Sequence, residues 1–317
     1  MSGSSLMFSG SKRLAISWAA AFAMFALVAV ACDVFCTCFV IFGNNSFDAA
    51  KISRLIHVRS PEVPIFGSSQ ARDDYVPELI HPEAFNYGMV GASFEVIDLF
   101  LHIELAKNNT RPIIIAMTHS ANRGIGDVSN FIPFAERPDV RGLLLRNGSM
   151  QWRFNIPGLR YFGYYGWYLK DFVAERQAVA READRGYTTA FGRVLPWDRS
   201  DFERSVKRRL KSGYGFKSDP DQDARLFRDI RQYPARKFVL VYSPLHSACF
   251  ANFTGAPEFG EFLAKLRSMN NVVVLDWSQL GFPDQYFADT LHLNETGAAE
   301  FSRRLGAELR PILGAAN

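Results

Sequence analysis

Two short segments at opposite ends of the chain hold the residue types that nucleophilic catalysis requires. The first is "VPIFGSSQARDD" (residues 63–74), where an apolar run ends in Gly-Ser-Ser. The second is "FADTLHLNETG" (residues 287–297), where Asp289 and His292 lie three residues apart. A serine hydroxyl is a poor nucleophile until a base removes its proton, and an imidazole oriented by a carboxylate is such a base. We therefore expect His292 to act as a general base towards a serine, with Asp289 orienting its ring.

Short apolar runs predict the strands that position these two segments. The runs are rich in β-branched residues and apolar on both faces, which is typical of buried strands in parallel sheets. They are residues 63–67, 112–118, 237–243 and 271–277, with a weaker run at residues 85–89.

Helices are predicted between and after these strands, because apolar residues recur there at helical spacing. They cover residues 93–107, 219–233 and 258–269, and a last helix begins near Glu295 with Asn294 as its N-cap and Pro311 kinking or ending it. The alternation implies right-handed crossovers between parallel strands. We therefore expect an α/β fold, a flavodoxin-like three-layer sandwich with a mainly parallel five-stranded sheet.

The two polar segments meet at one edge of this predicted sheet. Ligands of such sheets bind beyond the carboxyl ends of the strands, which is where the Gly-Ser-Ser turn follows the first strand. Taken alone, a Gly-Ser-Ser turn is more often a loop, and an Asp-x-x-His pair is more often a surface pair or a helix cap. The combination of the first strand and the last helix in one α/β domain favours a catalytic site.

A long insertion interrupts the alternation. Residues 119–235 separate two predicted strands where a single crossover helix would suffice. They include an aromatic cluster (residues 150–172), a helical stretch near residues 170–184 and a basic stretch (residues 204–217). We interpret the insertion as a helical and aromatic cap, although packing of its own small core and a solvated helix face explain the aromatic and basic stretches equally well.

The N-terminus departs from soluble composition. Residues 14–42 contain one charged residue, Asp33, and are otherwise largely apolar. A run of this length is long enough to span a bilayer. The basic residues Lys12 and Arg13 precede it. We expect residues 1–43 to be a cytoplasmic N-terminus and single-pass transmembrane anchor, residues 44–61 a connector, and residues 62–317 the outer domain. Cleavage, or lipidation at Cys32 within "AVAC", is the alternative.

The remaining composition narrows the functional classes. Three of the four cysteines lie in the anchor, so Cys249 has no partner for a disulfide in the outer domain. No CxxC or His-rich spacing indicates a metal site, and we predict no metal and no cofactor. The net charge of +4 comes from basic residues that are spread out, which does not indicate a nucleic-acid binder.

At these residues the sequence resembles the SGNH (GDSL-like) hydrolase superfamily. "FGSSQ" is similar to its first block, with Ser68 in place of the aspartate, and this implies Ser69 as the nucleophile. "FADTLHLNETG" is similar to its last block, which implies the triad roles for Asp289 and His292. "FNYGMVGAS" resembles the second block and implies that the backbone N–H groups of Gly91 and Ser69 form the oxyanion hole.

The third block of the family is not matched. The family carries Gly-x-Asn-Asp after the third strand, whereas this chain has "AMTHSANRG" (residues 116–124). Asn122 or His119 is the candidate for the missing oxyanion donor, or none replaces it. His246, after the fourth strand, and His119 are candidates for substrate binding, and a structural loop histidine is the alternative for His246.

The resemblance is closest to a membrane-anchored subset that includes teichoic-acid D-alanylation accessory proteins and alginate O-acetylation proteins. It implies a single-pass protein of the bacterial inner membrane with its domain in the periplasm. It also implies acyl (acetyl) transfer or ester hydrolysis on cell-envelope glycan, beside a membrane-bound O-acyltransferase as partner. The alternative is a catalytically degenerate accessory or glycan-binding subunit of such a system.

Overall fold

The computed structural model describes residues 7–42, 47–119, 128–147, 153–154, 156, 158–161, 163, 185–187 and 199–314. Its strands are β1 (Val63–Phe66), β2 (Ala84–Asn86), β3 (Ile113–Met117), β4 (Tyr214–Gly215), β5 (Phe238–Tyr242), β6 (Phe253–Thr254) and β7 (Val272–Asp276). Its helices are α1 (Met7–Phe42), α2 (Phe47–His57), α3 (Ser69–Asp74), α4 (Pro77–Ile80), α5 (Phe94–Leu105), α6 (Pro138–Asn147), α7 (Arg199–Ser212), α8 (Pro220–Gln232), α9 (Ala256–Arg267) and α10 (Glu295–Leu313). Short 3-10 helices cover Val128–Phe134, Ser247–Cys249 and Asp284–Tyr286.

The predicted strands form one parallel sheet of five strands in the order β2-β1-β3-β5-β7. Counted within this sheet alone, the order is 2-1-3-4-5, that of flavodoxin-like doubly wound folds, and the expected fold class is confirmed. The weakest strand prediction was displaced: β2 ends at Asn86 rather than continuing to Met89. Backbone bonds from Tyr87 N to Ile65 O (2.8 Å) and from Met89 N to Gly67 O (3.2 Å) still hold that segment against β1.

Both faces of the sheet are covered. On one face Ile65 and Val241 belong to the same buried cluster as Phe301 and Leu305 of α10. On the other face Phe66 packs on Phe100 of α5, with ring centroids 5.9 Å apart. Because alternate residues of a strand point to opposite faces, strands buried on both faces must be apolar throughout, which is the pattern that predicted them.

The predicted capping residue Asn294 caps α10 by accepting a hydrogen bond from Gly297 N (3.1 Å). Asp219, predicted as the start of a helix, caps α8 in the same manner. The helix does not end at Pro311, because α10 continues past it to Leu313 before Gly314 ends the helix. A helix, α2, occupies most of the segment that was predicted to be a connector.

The chain divides into two compact units. One comprises Met1–Ala50 with Val128–Arg176, and the other comprises Lys51–Asp127 with Gln177–Asn317 and contains the five-stranded sheet. The predicted helical stretch near residues 170–184 and most of the aromatic cluster lie outside the described residues. The basic stretch belongs to α7 and the segment that follows it, including β4.

Helix α1 dominates the first unit. Its segment Leu14–Cys38 has a mean hydropathy of 2.3 and is long and apolar enough to cross a membrane, a property that signal sequences share. Asp33, the one charged residue of this segment, is buried within the unit and accepts hydrogen bonds from Arg160 Nε (2.9 Å) and Gly158 N (3.0 Å). A buried carboxylate needs such partners, so part of the insertion packs against α1.

Candidate active site

Ser69 is the first residue of α3, directly beyond the carboxyl end of β1. Gly67 lies between them, where the backbone turns from strand to helix. A Cβ atom on Gly67 would lie 2.6 Å from Ala71 Cβ and 2.9 Å from Ala116 Cβ, closer than carbon atoms can approach without displacement. The glycine therefore allows α3 to start against the sheet, and it places Ser69 at the edge that the sequence predicted.

The structure brings Ser69, His292 and Asp289 together. Ser69 Oγ lies 2.9 Å from His292 Nε2, and His292 Nδ1 lies 3.0 Å and 3.1 Å from the two carboxylate oxygens of Asp289. These are hydrogen-bond distances, so a proton on Ser69 has an acceptor in the neutral imidazole, and the carboxylate fixes which ring nitrogen carries the other proton.

Local contacts shape the loop that carries His292. Asp289 Oδ1 also accepts the backbone N–H groups of Leu291 (2.7 Å) and His292 (2.9 Å), which forms an Asx turn. Phe287 and Leu293 are bridged across the base of the loop, and both side chains are fully buried. The Asp-x-x-His spacing therefore places carboxylate and imidazole on one closed turn.

Electrostatics favour an ionised Asp289–His292 pair. Burial alone would raise the pKa of Asp289, but the hydrogen bond and charge of His292 and the backbone N–H groups lower it. Burial alone would lower the pKa of His292, but the hydrogen bond and charge of Asp289, and then the charges of Asp74 and Asp73, raise it to about 9. Asp74 is itself fully buried, which raises its own pKa well above the usual range, so we attribute the raised pKa of His292 to Asp289.

The segment after β2 reaches the same edge of the sheet. Gly91 has a φ of 66° in the turn that leads into α5. Gly88, three residues earlier, packs so closely on α3 that a Cβ there would lie 2.4 Å from Arg72 N. Asn86 orders this approach, since its amide donates to Ala71 O (2.7 Å) and Tyr75 O (2.8 Å) of the α3 segment. Asn122, the predicted third oxyanion donor, lies outside the described residues.

His119 does not join the Ser69–His292 pair. Its ring is 2% exposed and packs among aromatic side chains, and burial lowers its pKa to about 4, so the ring is neutral. The contacting rings are Tyr214, Tyr242, Phe250, Phe253 and Phe259.

His246 lies at the same edge of the sheet, and its ring and its backbone contact neighbouring loops. Its Nδ1 accepts the N–H of Ala248 (3.1 Å) and so caps the 3-10 helix Ser247–Cys249, while its Nε2 lies 3.2 Å from Asp284 Oδ1. Its backbone N–H donates to Thr290 O (3.2 Å), which connects it to the loop of Asp289 and His292.

A cavity of about 60 Å³ opens beside Ser68, the residue that precedes Ser69. Its lining is largely apolar and comes from the end of β3, from α5 and from α8. Because one water molecule needs about 10–15 Å³ of such volume, the cavity has room for roughly four to six water molecules. The lining includes Ala92, Phe94, Ile97, Ile115, Met117, Thr118, Lys217, Asp223 and Leu226. The walls of this cavity come from distant segments, so no local pattern in the sequence predicts it.

Among the described residues, one group could ligate a cation. Asp98 and His102 of α5 and Asp229 of α8 have their ligand atoms within 4.8 Å of one another. Each carboxylate already has an arginine nearby, at 3.7 Å for Asp98 and Arg225 and at 3.0 Å for Asp229 and Arg228. These ion pairs offset the negative charge that would attract a cation.

Two further side chains of α3 contact the His292 loop, and the sequence analysis missed both. Gln70 Nε2 donates to Leu291 O (3.0 Å), and Asp74 Oδ1 accepts from Leu293 N (2.8 Å). Their four-residue spacing would place them on one face of a helix, but nothing in the sequence indicates the backbone that this face meets.

Comparison with known proteins adds distant structural similarity alone. No protein-family model matches the chain, and no curated protein does. A solved structure described as that of a candidate platelet activating factor from Streptococcus pneumonia is similar over 84% of this chain and 91% of its own, at 13% sequence identity and a TM-score of 0.40. A similarity of this size does not assign an activity.

Proposed function

We propose that this chain is a serine enzyme of the SGNH type that acts on acyl esters, with Ser69 as nucleophile. The observation that supports it is the hydrogen-bonded series from Ser69 Oγ through His292 to Asp289, at 2.9 Å and 3.0 Å. Such a series is what a hydroxyl nucleophile needs to lose its proton during attack.

The proposed reaction has two halves. Ser69 Oγ attacks the ester carbonyl while His292 Nε2 takes the hydroxyl proton, and the carbonyl oxygen becomes an oxyanion that the N–H groups of Ser69 and Gly91 stabilise. The intermediate then breaks the ester C–O bond, and His292 returns its proton to the leaving alkoxide. In the second half, His292 deprotonates water or a sugar hydroxyl, which attacks the acyl-serine. The bond between the acyl carbon and Ser69 Oγ breaks, and His292 returns the proton to Ser69 Oγ.

A fluorophosphonate probe tests this proposal directly, because it reacts with an activated serine. The full chain in detergent should be labelled at Ser69, and Ser69→Ala and His292→Ala should abolish the labelling. Ser68→Ala is the matched control, since it changes the neighbouring hydroxyl and leaves the Ser69–His292 hydrogen bond in place. Labelling of Ser69→Ala at the wild-type rate would refute the assignment.

One observation favours the non-enzymatic alternative, an accessory or glycan-binding subunit with a degenerate site. The pKa of His292 is raised to about 9, chiefly by Asp289, so at neutral pH the imidazole already carries the proton that it would have to accept. Labelling at pH 9 distinguishes the serine enzyme from the accessory subunit. A well-folded protein that stays unlabelled from pH 7 to pH 9.5 would be the accessory subunit.

We extend the proposal to the cellular setting. Helix α1 acts as a single-pass anchor in a bacterial inner membrane, with Lys12 and Arg13 on the cytoplasmic side and the sheet-containing unit in the periplasm. The acyl acceptor or ester is a cell-envelope glycan, and a membrane-bound O-acyltransferase is the proposed partner. Protease treatment of spheroplasts should degrade the sheet-containing unit, and its protection there would overturn the orientation.

A further inference from the structure

Helix α3 carries more than the proposed nucleophile. It is six residues long, with Ser69 at its first position, and Gln70 and Asp74 lie one helical turn apart. Gln70 is 6% exposed and Asp74 is fully buried, so their polar atoms have little access to water. Buried polar groups of this kind cost free energy unless they are hydrogen-bonded, and their partners therefore matter for the structure.

Those partners flank His292 in the chain. Gln70 Nε2 donates to the carbonyl oxygen of Leu291 at 3.0 Å, and Asp74 Oδ1 accepts from the N–H of Leu293 at 2.8 Å. One side chain thus binds the residue before His292 and the other binds the residue after it. The helix that presents Ser69 also holds the backbone that presents His292.

This arrangement has a mechanical consequence. The Asx turn of Asp289 shapes the loop internally, but it does not connect the loop to α3. Two bonds from one short rigid helix to both sides of His292 restrict sliding of the loop along α3 and rotation away from it. The separation of Ser69 Oγ and His292 Nε2 is then determined by α3 itself.

We propose that Gln70 and Asp74 are positioning residues that clamp the backbone on each side of His292 and hold its ring at hydrogen-bond distance from Ser69. The inference rests on the proposed function, because the consequence of the clamp is the reactivity of Ser69. Asp74 accepts the Leu293 N–H through one oxygen in either protonation state, so the clamp requires an acceptor at this position and no charge.

Two near-isosteric variants test the clamp. Gln70→Met removes the donor and Asp74→Leu removes the acceptor, while each keeps a side chain of similar size. A misplacement of about 1 Å can cost on the order of a hundredfold in rate, so we expect fluorophosphonate labelling to slow by about tenfold in Gln70→Met and about a hundredfold in Asp74→Leu. Asp74→Asn, which restores an acceptor, should recover most of the loss seen in Asp74→Leu.

Ser302→Ala is the matched control. The Ser302 hydroxyl accepts from Val76 N (2.8 Å) and donates to Asp74 O (3.2 Å), so its loss also breaks two buried hydrogen bonds at the end of α3. It leaves the bonds to Leu291 and Leu293 unchanged. We expect Ser302→Ala to lower the melting temperature and to keep its labelling rate within about threefold of wild type. An equal loss of labelling in Ser302→Ala would overturn the clamp in favour of general destabilisation.

Hydrogen exchange separates failure of the clamp from failure of the proposed function. In Asp74→Leu the Leu293 amide loses its acceptor and should exchange at least about tenfold faster than in Ser302→Ala, whether or not Ser69 reacts. If wild type is not labelled at any pH, the proposed function fails and the exchange result alone decides the clamp. Unchanged exchange at Leu293, or unchanged labelling in both near-isosteric variants, would overturn it.

Discussion

The contact between Asp289 and His292 gives the sharpest test of the proposed chemistry. Asp289→Asn keeps the size of the side chain, and its amide oxygen can still accept the N–H groups of Leu291 and His292 that now bind Oδ1 at 2.7 Å and 2.9 Å. The amide NH₂ takes the place of Oδ2, 3.1 Å from His292 Nδ1, and it donates where the carboxylate accepted. Oδ1, 3.0 Å from Nδ1, is then the one remaining acceptor for Nδ1–H, and it is already shared by the two backbone N–H groups. Where the amide NH₂ faces Nδ1 instead, Nδ1 accepts and the ring proton moves to Nε2, where it faces Ser69.

The size of the effect follows from the pKa of His292. That pKa stands at about 9 rather than 6.5, and at about 1.36 kcal/mol for each unit the folded protein stabilises the imidazolium by about 3 kcal/mol. Because Asp289 is the chief source of this stabilisation, its loss slows proton transfer to His292 by up to about a hundredfold. The wrong tautomer slows proton transfer further, and in well-characterised triads the same substitution lowers kcat by about 10⁴-fold.

The assay is the second-order rate constant for fluorophosphonate labelling at pH 9, with folding checked by circular dichroism. We expect the rate constant of Asp289→Asn to fall on the order of a hundredfold or more below that of wild type. Asp284→Asn is the control, because it makes the same change in an exposed carboxylate 3.2 Å from a different histidine, His246, and should label normally. A loss below about tenfold in folded Asp289→Asn would refute the assignment of Asp289 as the orienting carboxylate.

The remaining predictions concern pH, packing and one buried ion pair. Because the neutral imidazole is the active form, the labelling rate should rise with pH to a half-maximum near 9, and a profile that is flat from pH 6 to pH 9 would contradict the raised pKa of His292. The same shift stabilises the folded state fully below about pH 6.5, so the free energy of unfolding should fall as pH rises through 9, and it should not do so in His292→Ala. Gly67→Ala should lower the melting temperature and slow labelling, since its Cβ would lie 2.6 Å from Ala71 Cβ. In the control Gly260→Ala the new Cβ meets nothing within 4 Å, so this variant should be neutral or slightly stabilising. Equal effects of the two substitutions would refute the packing argument. Arg236→Ala removes a 2.8 Å ion pair with Glu104 in which both side chains are at most 5% exposed. Urea unfolding should show that the free energy of unfolding falls by about 3 kcal/mol, and a fall of less than about 1 kcal/mol would argue against a buried pair.

Much of the fold could be predicted because its signals are local. The strands β3, β5 and β7 are continuous apolar runs, and Asp219 and Asn294 are capping residues at helix starts, so each can be recognised within a few residues. The displaced end of β2 is informative. Residues 87–89, which follow β2, still bond to β1 and to Gly67, but they turn towards α3. The tight packing of Gly88 on α3 that accompanies the turn depends on a neighbour outside the segment.

The side-chain environments could not be predicted in this way. His119 follows a strand at the carboxyl edge, where a substrate-binding role is a reasonable expectation, yet five aromatic rings from later segments surround it. In the sequence Asp33 is an isolated charge in an apolar segment, but in the structure it pairs with Arg160, which is 127 residues away. Burial and ion pairing depend on which distant segments pack together, and local patterns carry little information about that.

The sequence by itself determined which residue types were available and which edge of the sheet they would occupy. Gly-Ser-Ser after the first strand and Asp-x-x-His before the last helix follow from apolar periodicity and from the rule that parallel sheets bind ligands at their carboxyl ends. The tertiary structure alone decided that Ser69 Oγ lies 2.9 Å from His292 Nε2, that Asp289 raises the pKa of His292 to about 9, and that Gln70 and Asp74 bind the backbone on both sides of His292. The reason is physical: hydrogen bonds and pKa values depend on differences of a few tenths of an ångström and on exclusion of water. The bonds from Ser69, Gln70 and Asp74 to the His292 loop form only when segments more than 200 residues apart in the chain pack together.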